Sequence, residues 1–335
     1  MIEEFLLASW PDLSTEPRPR RLRLLRLGAR SGGRSSVSWL VFCNDREIPS
    51  FLVKVSSDPS YREGIDREYR NFSTIYLRLR SCRATVPRPL LCADLNGRRL
   101  LCETVVLGRP LGGRTFRHYE WYRRYRVSRF VSCALEWLSL FHAETNVGEA
   151  VIDDCFIDRA FKDTVRRVME RFASTLRGYE PDLEELPRRA VRFLGTRIPI
   201  GAVHGDFTHA NVLLREDSVA VVDWEDCQSS GPPFRDLFFL ACQLALDYYG
   251  TMAEEESFRR FFLQEGGGGD LVLRLMEGYA REAGFDPRLL LLMLPQFLGE
   301  MLLSELPEHR ARETFLFASV PCIRVALELQ RRIWQ

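Results

Sequence analysis

Lysine is almost absent from this chain. Of 47 basic residues only Lys54 and Lys162 are lysines and the other 45 are arginines, so general cationic solvation falls to guanidinium and each lysine stands out. Cysteine occurs nine times without a CxxC pair or a histidine-rich cluster, which argues against a disulfide framework and against a structural zinc site. Cys82, Cys92 and Cys102 recur every ten residues without a fourth ligand nearby and read as small core residues. No apolar run is long enough to span a membrane: the longest, 289–306, is broken by Pro295, Gln296, Glu300 and Glu305 and reads as a core helix. The opening MIEEFLLASWPDLS starts acidic and lacks a long apolar stretch, which argues against a secretory signal and predicts a cytoplasmic protein. There is no internal repeat, no zinc-finger spacing and no repeated aromatic-basic pattern, so a nucleic-acid partner is not expected.

What is present is enough apolar sequence for a sizeable core: 335 residues, 46% hydrophobic and 28% charged. The net charge of +1 hides a gradient, because residues 1–129 hold 25 Arg/Lys against 13 Asp/Glu whereas 201–335 hold 12 against 21. A basic front suits a polyanion and an acidic back suits cations. Alternating β-rich runs at 21–27, 37–43, 50–55 and 99–106 predict an antiparallel sheet. Between the third and fourth runs, Asp58-Pro59 starts a helix whose apolar face is Ile65, Phe72, Ile75 and Leu79. GRPLGG then reads as a linker, and helical periodicity dominates from residue 129 onward. The expected class is α+β in two lobes: residues 1–106, a small five-stranded antiparallel sheet with one helix, and residues 107–335, mainly helical. NVLL and VAVVDW, joined by REDS, form the one expected hairpin of the second lobe, and the four glycines 266–269 read as a loop.

The strongest chemical signal is AVHGDFTHANVLL followed by VAVVDWED: His204, Asp206 and Asn211 in an H-x-D-x4-N array, then Asp223 at the end of the next strand. Transfer of a phosphoryl group from a nucleotide needs such a set, one carboxylate to accept a hydroxyl proton, and an oxygen ligand with a second carboxylate to hold magnesium. A short loop presents Asp206 and Asn211 together, and the hairpin returns Asp223 beside Asn211. These residues resemble the aminoglycoside phosphotransferase and choline kinase family, small-molecule kinases with a protein-kinase-like fold, whose H-G-D-x-x-x-x-N loop matches HGDFTHAN and whose metal strand matches VVDWED. The resemblance implies Asp206 as catalytic base, Asn211 and Asp223 as Mg²⁺ ligands, and His204 as the brace of the loop. Thr208-His209-Ala210 replaces the family's usual His-Pro-Gly, at the substrate edge.

Lys54 supports that reading from its own position. It interrupts the apolar strand FLVKVS, where a compact ammonium reaches phosphate oxygens and a guanidinium fork would not fit. A buried lysine needs a carboxylate; Glu68 lies on the apolar face of the helix, whereas Glu63 shares the polar face with Arg67 and Arg70. Gly32, Gly33, Ser35 and Ser36, in the turn ahead of Lys54, can bring backbone and hydroxyl groups to phosphates. By resemblance alone, backbone groups from Glu103 to Val105 would read the adenine edge. Asp236 either caps the following helix or braces the catalytic loop, His142 reads as a packed helix residue, and Glu225 and Asp226 receive no role. The sequence thus predicts a Mg²⁺-dependent kinase that uses ATP, or GTP, on a hydroxyl of an aminoglycoside, amino alcohol or sugar. The rival is a nucleotide-binding scaffold without turnover. No D-F-G or A-P-E segment points to a protein kinase.

Overall fold

In the computed structural model the described residues are 1–27, 36–250, 253–266, 268–304 and 319–334. Two short N-terminal helices, α1 (Ile2–Ala8) and α2 (Trp10–Leu13), precede the sheet. Its strands are β1 (Leu22–Arg26), β2 (Ser36–Cys43), β3 (Phe51–Ser56), β4 (Pro89–Leu95) and β5 (Arg98–Thr104), in the spatial order β1-β2-β3-β5-β4 and antiparallel throughout. The connection from β3 to β4 is α3 (Arg62–Arg78), which crosses to the far edge and leaves the place beside β3 to β5.

Alternation explains how β3 serves two environments. Phe51, Val53 and Val55 face one side and pack with Leu6, Trp10 and Leu13 of the N-terminal helices. Leu52 and Lys54 face the other, opposite Glu103 and Leu101 of β5. Two features escaped the sequence reading. The N-terminal helices are too short for a periodic signal, and β4 contains Pro89 and only a brief apolar run.

The remainder is mainly helical. A short strand β6 (Arg109–Pro110) and α4 (Gly113–Phe116) lead to the long α5 (Glu120–Thr145), then β7 (Gly148–Val151), α6 (Asp154–Ile157), a π-helical turn over Asp158–Asp163, α7 (Thr164–Phe172) and α8 (Glu180–Ala190). Strand β8 (Arg197–Val203) leads into the His204–Asn211 loop, and β9 (Val212–Leu214) and β10 (Val219–Val221) form the expected hairpin, which β6 extends to three strands. β11 (Gln228–Gly231) joins β8 and β7 in another three-stranded sheet. Helices α9 (Phe234–Asp247), α10 (Glu254–Leu263), α11 (Gly268–Glu282), α12 (Pro287–Ser304) and α13 (Val320–Trp334) complete the chain.

Helix α12 is the core helix expected from the apolar run, with Pro295 inside it and nearly every side chain buried. Among the described residues no helix is long and apolar enough to cross a membrane. Gly268 and Gly269 of the glycine run depart from the loop expected. Gly268 and Gly269 are buried in the first turn of α11, where a Cβ on Gly269 would stand 1.6 Å from the Phe261 carbonyl oxygen. Gly269 permits close approach between α10 and α11, and Gly268 leaves room for the Tyr248 ring, where a Cβ would stand 2.6 Å away.

Candidate active site

Lys54 and Glu68 meet as the strand and helix patterns predict. The ammonium Nζ lies 2.7 Å from Glu68 Oε1, both side chains almost wholly buried, and the same nitrogen is 2.7 Å from Asp223 Oδ1. Helix α3 is fixed in that position by its apolar face. Phe72 stacks on the fully buried Trp224 with ring centroids 4.6 Å apart and planes 11° apart, Asn71 Nδ2 donates to the Cys227 carbonyl at 3.0 Å, and Arg78 donates to that of Ser229. One stacked pair therefore joins the helix that carries Glu68 to the segment that carries Asp223.

Asp223 holds its backbone at φ +67°, in the left-handed region that aspartate tolerates better than most residues, two residues after the end of β10. Asn211 Nδ2 donates to both the carbonyl and Oδ2 of Asp206, at 3.0 and 2.7 Å, which leaves the amide oxygen to face elsewhere. His204 is fully buried. Its Nε2 lies 3.0 Å from the Val222 carbonyl and its Nδ1 3.3 Å from the Asp206 backbone nitrogen, so Nε2 donates, Nδ1 accepts, and the ring ties the loop to the end of β10. Burial lowers its pKa and keeps the ring neutral.

One residue fixes the loop from outside the motif, and one close approach fixes it from within. Asp236, fully buried in the first turn of α9, accepts from the backbone amides of His204 at 2.8 Å and Gly205 at 2.9 Å. It does not cap its own helix; of the two readings left open by the sequence, the geometry selects the brace. Gly205 sits at φ +85° so close to Asp226 that an added Cβ would lie 2.3 Å from the Asp226 carbonyl oxygen. On the altered edge of the loop, His209 Nε2 lies 3.3 Å from Asp247 Oδ2, which also accepts from Gln243, and Phe116 packs edge-on against the imidazole. Asp247 and Phe116 belong to this neighbourhood, and no motif singles them out.

Glu103 occupies an unexpected environment. Its backbone pairs within the sheet, opposite Leu52 and Pro89, and its side chain is buried on the face that carries Lys54, with neither carboxylate oxygen hydrogen-bonded. Burial raises its pKa to about 7. Glu68 is raised to about 7 by burial against the opposing pull of Lys54, and Glu225 to about 7 by burial and Asp223. Val105 follows β5, half-buried, and Ser36 opens β2 opposite Ser56, two residues before Ser38, which faces Lys54. Gly32, Gly33 and Ser35 lie outside the described residues.

The surplus of carboxylates fits a cation. Burial, Asp223 and Asp226 push the Asp206 carboxyl well above the usual carboxylate range, and Asp206 Oδ1 is buried with no hydrogen-bond partner. Among the described residues no three His, Cys, Asp or Glu side chains converge as a complete metal cage. Asn211 and Asp223 would leave most coordination positions to phosphate oxygens and water, the usual manner of holding Mg²⁺.

A phosphotransferase enzyme family model matches residues 27–285. No functionally curated protein matches the chain significantly. Among solved structures, the chain is similar to a thermostable aminoglycoside phosphotransferase APH(4)-Ia variant in ternary complex with ADP and hygromycin B, at 16% identity, 98% coverage of both chains and a TM-score of 0.56. It is also similar to the amicoumacin kinase hAmiN bound to AMP-PNP, Ca²⁺ and Ami, at 14% identity, with 98% of this chain and 93% of that one covered and a TM-score of 0.52. At those identities the likeness shows the fold, protein-kinase-like α+β. The family model spans most of the sequence and contains every motif residue from Lys54 to Asp223, and the chain belongs to the phosphotransferase enzyme family.

Proposed function

We propose that this protein transfers the γ-phosphate of ATP, in the presence of Mg²⁺, to a hydroxyl group of a small molecule. The observation that carries the reading is the meeting of Lys54 and Glu68 with Asp223, 169 residues after Lys54, with Asp206 and Asn211 on the loop that His204 joins to the Val222 carbonyl beside Asp223. In this reading residues 1–106 and 107–335 are the two lobes and the nucleotide lies between them. Lys54 neutralises phosphate oxygens, and Glu68 keeps the ammonium in place. Ser36 lies toward the phosphates, and the backbone from Glu103 to Val105 meets the purine. Asn211 and Asp223 would hold Mg²⁺, which when bound supplies charge neutralisation for the phosphates.

Asp206 takes the proton of the acceptor hydroxyl as the oxygen attacks in line. Its raised pKa marks a base whose proton affinity responds to the charge around it. Acidic groups beside the loop, Glu225, Asp226 and Asp247, favour acceptors that bear amines or several hydroxyls: aminoglycosides, amino alcohols and sugars. Nine free thiols and dependence on ATP suit the cytoplasm.

The test is a phosphate-transfer assay with labelled ATP and GTP over a panel of those acceptors, run with wild type and Asp206→Asn. Acceptor-dependent transfer by wild type that the variant loses supports the kinase reading. Tight Mg²⁺-nucleotide binding without transfer to any acceptor would establish the scaffold reading instead.

A further inference from the structure

Asp236 has a third neighbour besides the two loop amides. His142 of α5, 7% exposed, places Nε2 3.7 Å from Asp236 Oδ2, the oxygen that accepts from the His204 amide, and that Nε2 makes no hydrogen bond. Its other ring nitrogen, Nδ1, lies 2.5 Å from the hydroxyl of Tyr279 in α11, 4% exposed. Burial and the charge of Asp236 push the Tyr279 hydroxyl up in pKa, so it keeps its proton and acts as donor. With Nδ1 accepting from the tyrosine hydroxyl, the ring hydrogen on Nε2 faces the carboxylate. The opposite tautomer would turn a lone pair toward a buried anion.

At the back of this pair is a cavity of about 220 Å³, lined by Ser139, His142, Asn146, Pro199, Tyr279 and Glu282, among others. It lies between α5, α11 and β8, and opens to solvent past the exposed Asn146 and Glu282. A buried carboxylate satisfied by only two amides is a costly group to hold still, and an N–H dipole on its remaining side lowers that cost.

We propose that Tyr279 and His142 are positioning residues for the loop that carries Asp206. The tyrosine fixes the imidazole tautomer, the imidazole orients Asp236, Asp236 holds the backbone of His204 and Gly205, and the cavity makes the set reachable by a small heterocycle from solvent. The inference depends on the phosphotransfer reading only for its consequence in turnover.

The test is amide hydrogen exchange at His204 and Gly205 in wild type, Tyr279→Phe and His142→Ala, each with and without added imidazole. Tyr279→Phe removes one hydroxyl and keeps the packing. His142→Ala joins the ring's space to the cavity, which free imidazole can then fill. Protection of the two amides is expected to fall about 3- to 10-fold in both variants, the factor for one buried hydrogen bond. Imidazole should restore it in His142→Ala only, and 1-methylimidazole, which lacks the N–H donor, should not restore it. Unchanged protection in Tyr279→Phe would overturn the proposal, even where His142→Ala is too unstable to study. Equal recovery with 1-methylimidazole would also overturn it, since filling space would then suffice. If the loop is catalytic, kcat should follow the exchange data while nucleotide KM stays constant. Wild type without turnover toward any acceptor would count against the phosphotransfer reading, leaving the exchange result to decide this one.

Discussion

Replacing Glu103 by glutamine should make the protein more stable, and increasingly so as pH rises. The side chain is 1% exposed and neither oxygen has a hydrogen-bond partner. Burial takes its pKa from 4.5 to about 7. A carboxyl whose folded value lies above its unfolded one keeps its proton longer in the native state. Between pH 4.5 and about 7 the native state therefore binds more protons than the unfolded chain, and stability falls as pH rises through that window. Above it the loss is complete, about 3 kcal/mol at 1.36 kcal/mol per pH unit. In Glu103→Gln the amide has nearly the shape of the carboxyl and no charge to bury, so the variant's profile lacks this slope. Urea unfolding at about pH 5 and about pH 8.5, followed by tryptophan fluorescence without nucleotide or Mg²⁺, measures the difference. The stability gain of the variant should be larger at the higher pH by about 2 to 3 kcal/mol. Parallel profiles for the two proteins would refute the reasoning and mean that Lys54 holds Glu103 ionised throughout.

Gly205→Ala should lower stability by about 2 kcal/mol or more, because both the positive φ and the Asp226 carbonyl exclude a Cβ; a thermal melt measures it. Lys54→Ala and Glu68→Ala should be non-additive in nucleotide affinity, given their 2.7 Å contact, and a double-mutant cycle with simply additive effects would remove the coupling. Asp223→Asn should weaken nucleotide binding in Mg²⁺ far more than in its absence, as calorimetry would show, and equal losses would place the cation elsewhere. Asp206→Asn should reduce kcat by ~10² to 10⁴-fold with little change in nucleotide Kd, the ordinary contribution of a general base.

The elements that could be read from sequence are those in which one short pattern decides the structure. Lys54 interrupts an alternating strand and Glu68 lies on a helical apolar face, so periodicity alone brought them together. The β9–β10 hairpin was equally legible, because NVLL and VAVVDW flank a polar turn. What could not be read depends on distant partners. Phe72 looked like any core residue until Trp224, 152 positions later, became its stacking partner. Glu103 has no local sign of a buried face shared with Lys54, since that follows from the β3–β5 register. His142 and Tyr279 are joined only by the packing of α5 against α11.

The scarcity of lysine gives the protein a built-in chemical reporter. Apart from the chain terminus, an amine-reactive reagent meets only two targets: Lys162, with its side chain 62% exposed beside Asp158 on the same helical face, and Lys54, 5% exposed behind two carboxylates. The first is modified at a rate set by the reagent, and the second only as often as its ammonium leaves the two carboxylates. The ratio of the two rates, read by mass spectrometry, therefore reports how often the Lys54 ammonium becomes accessible.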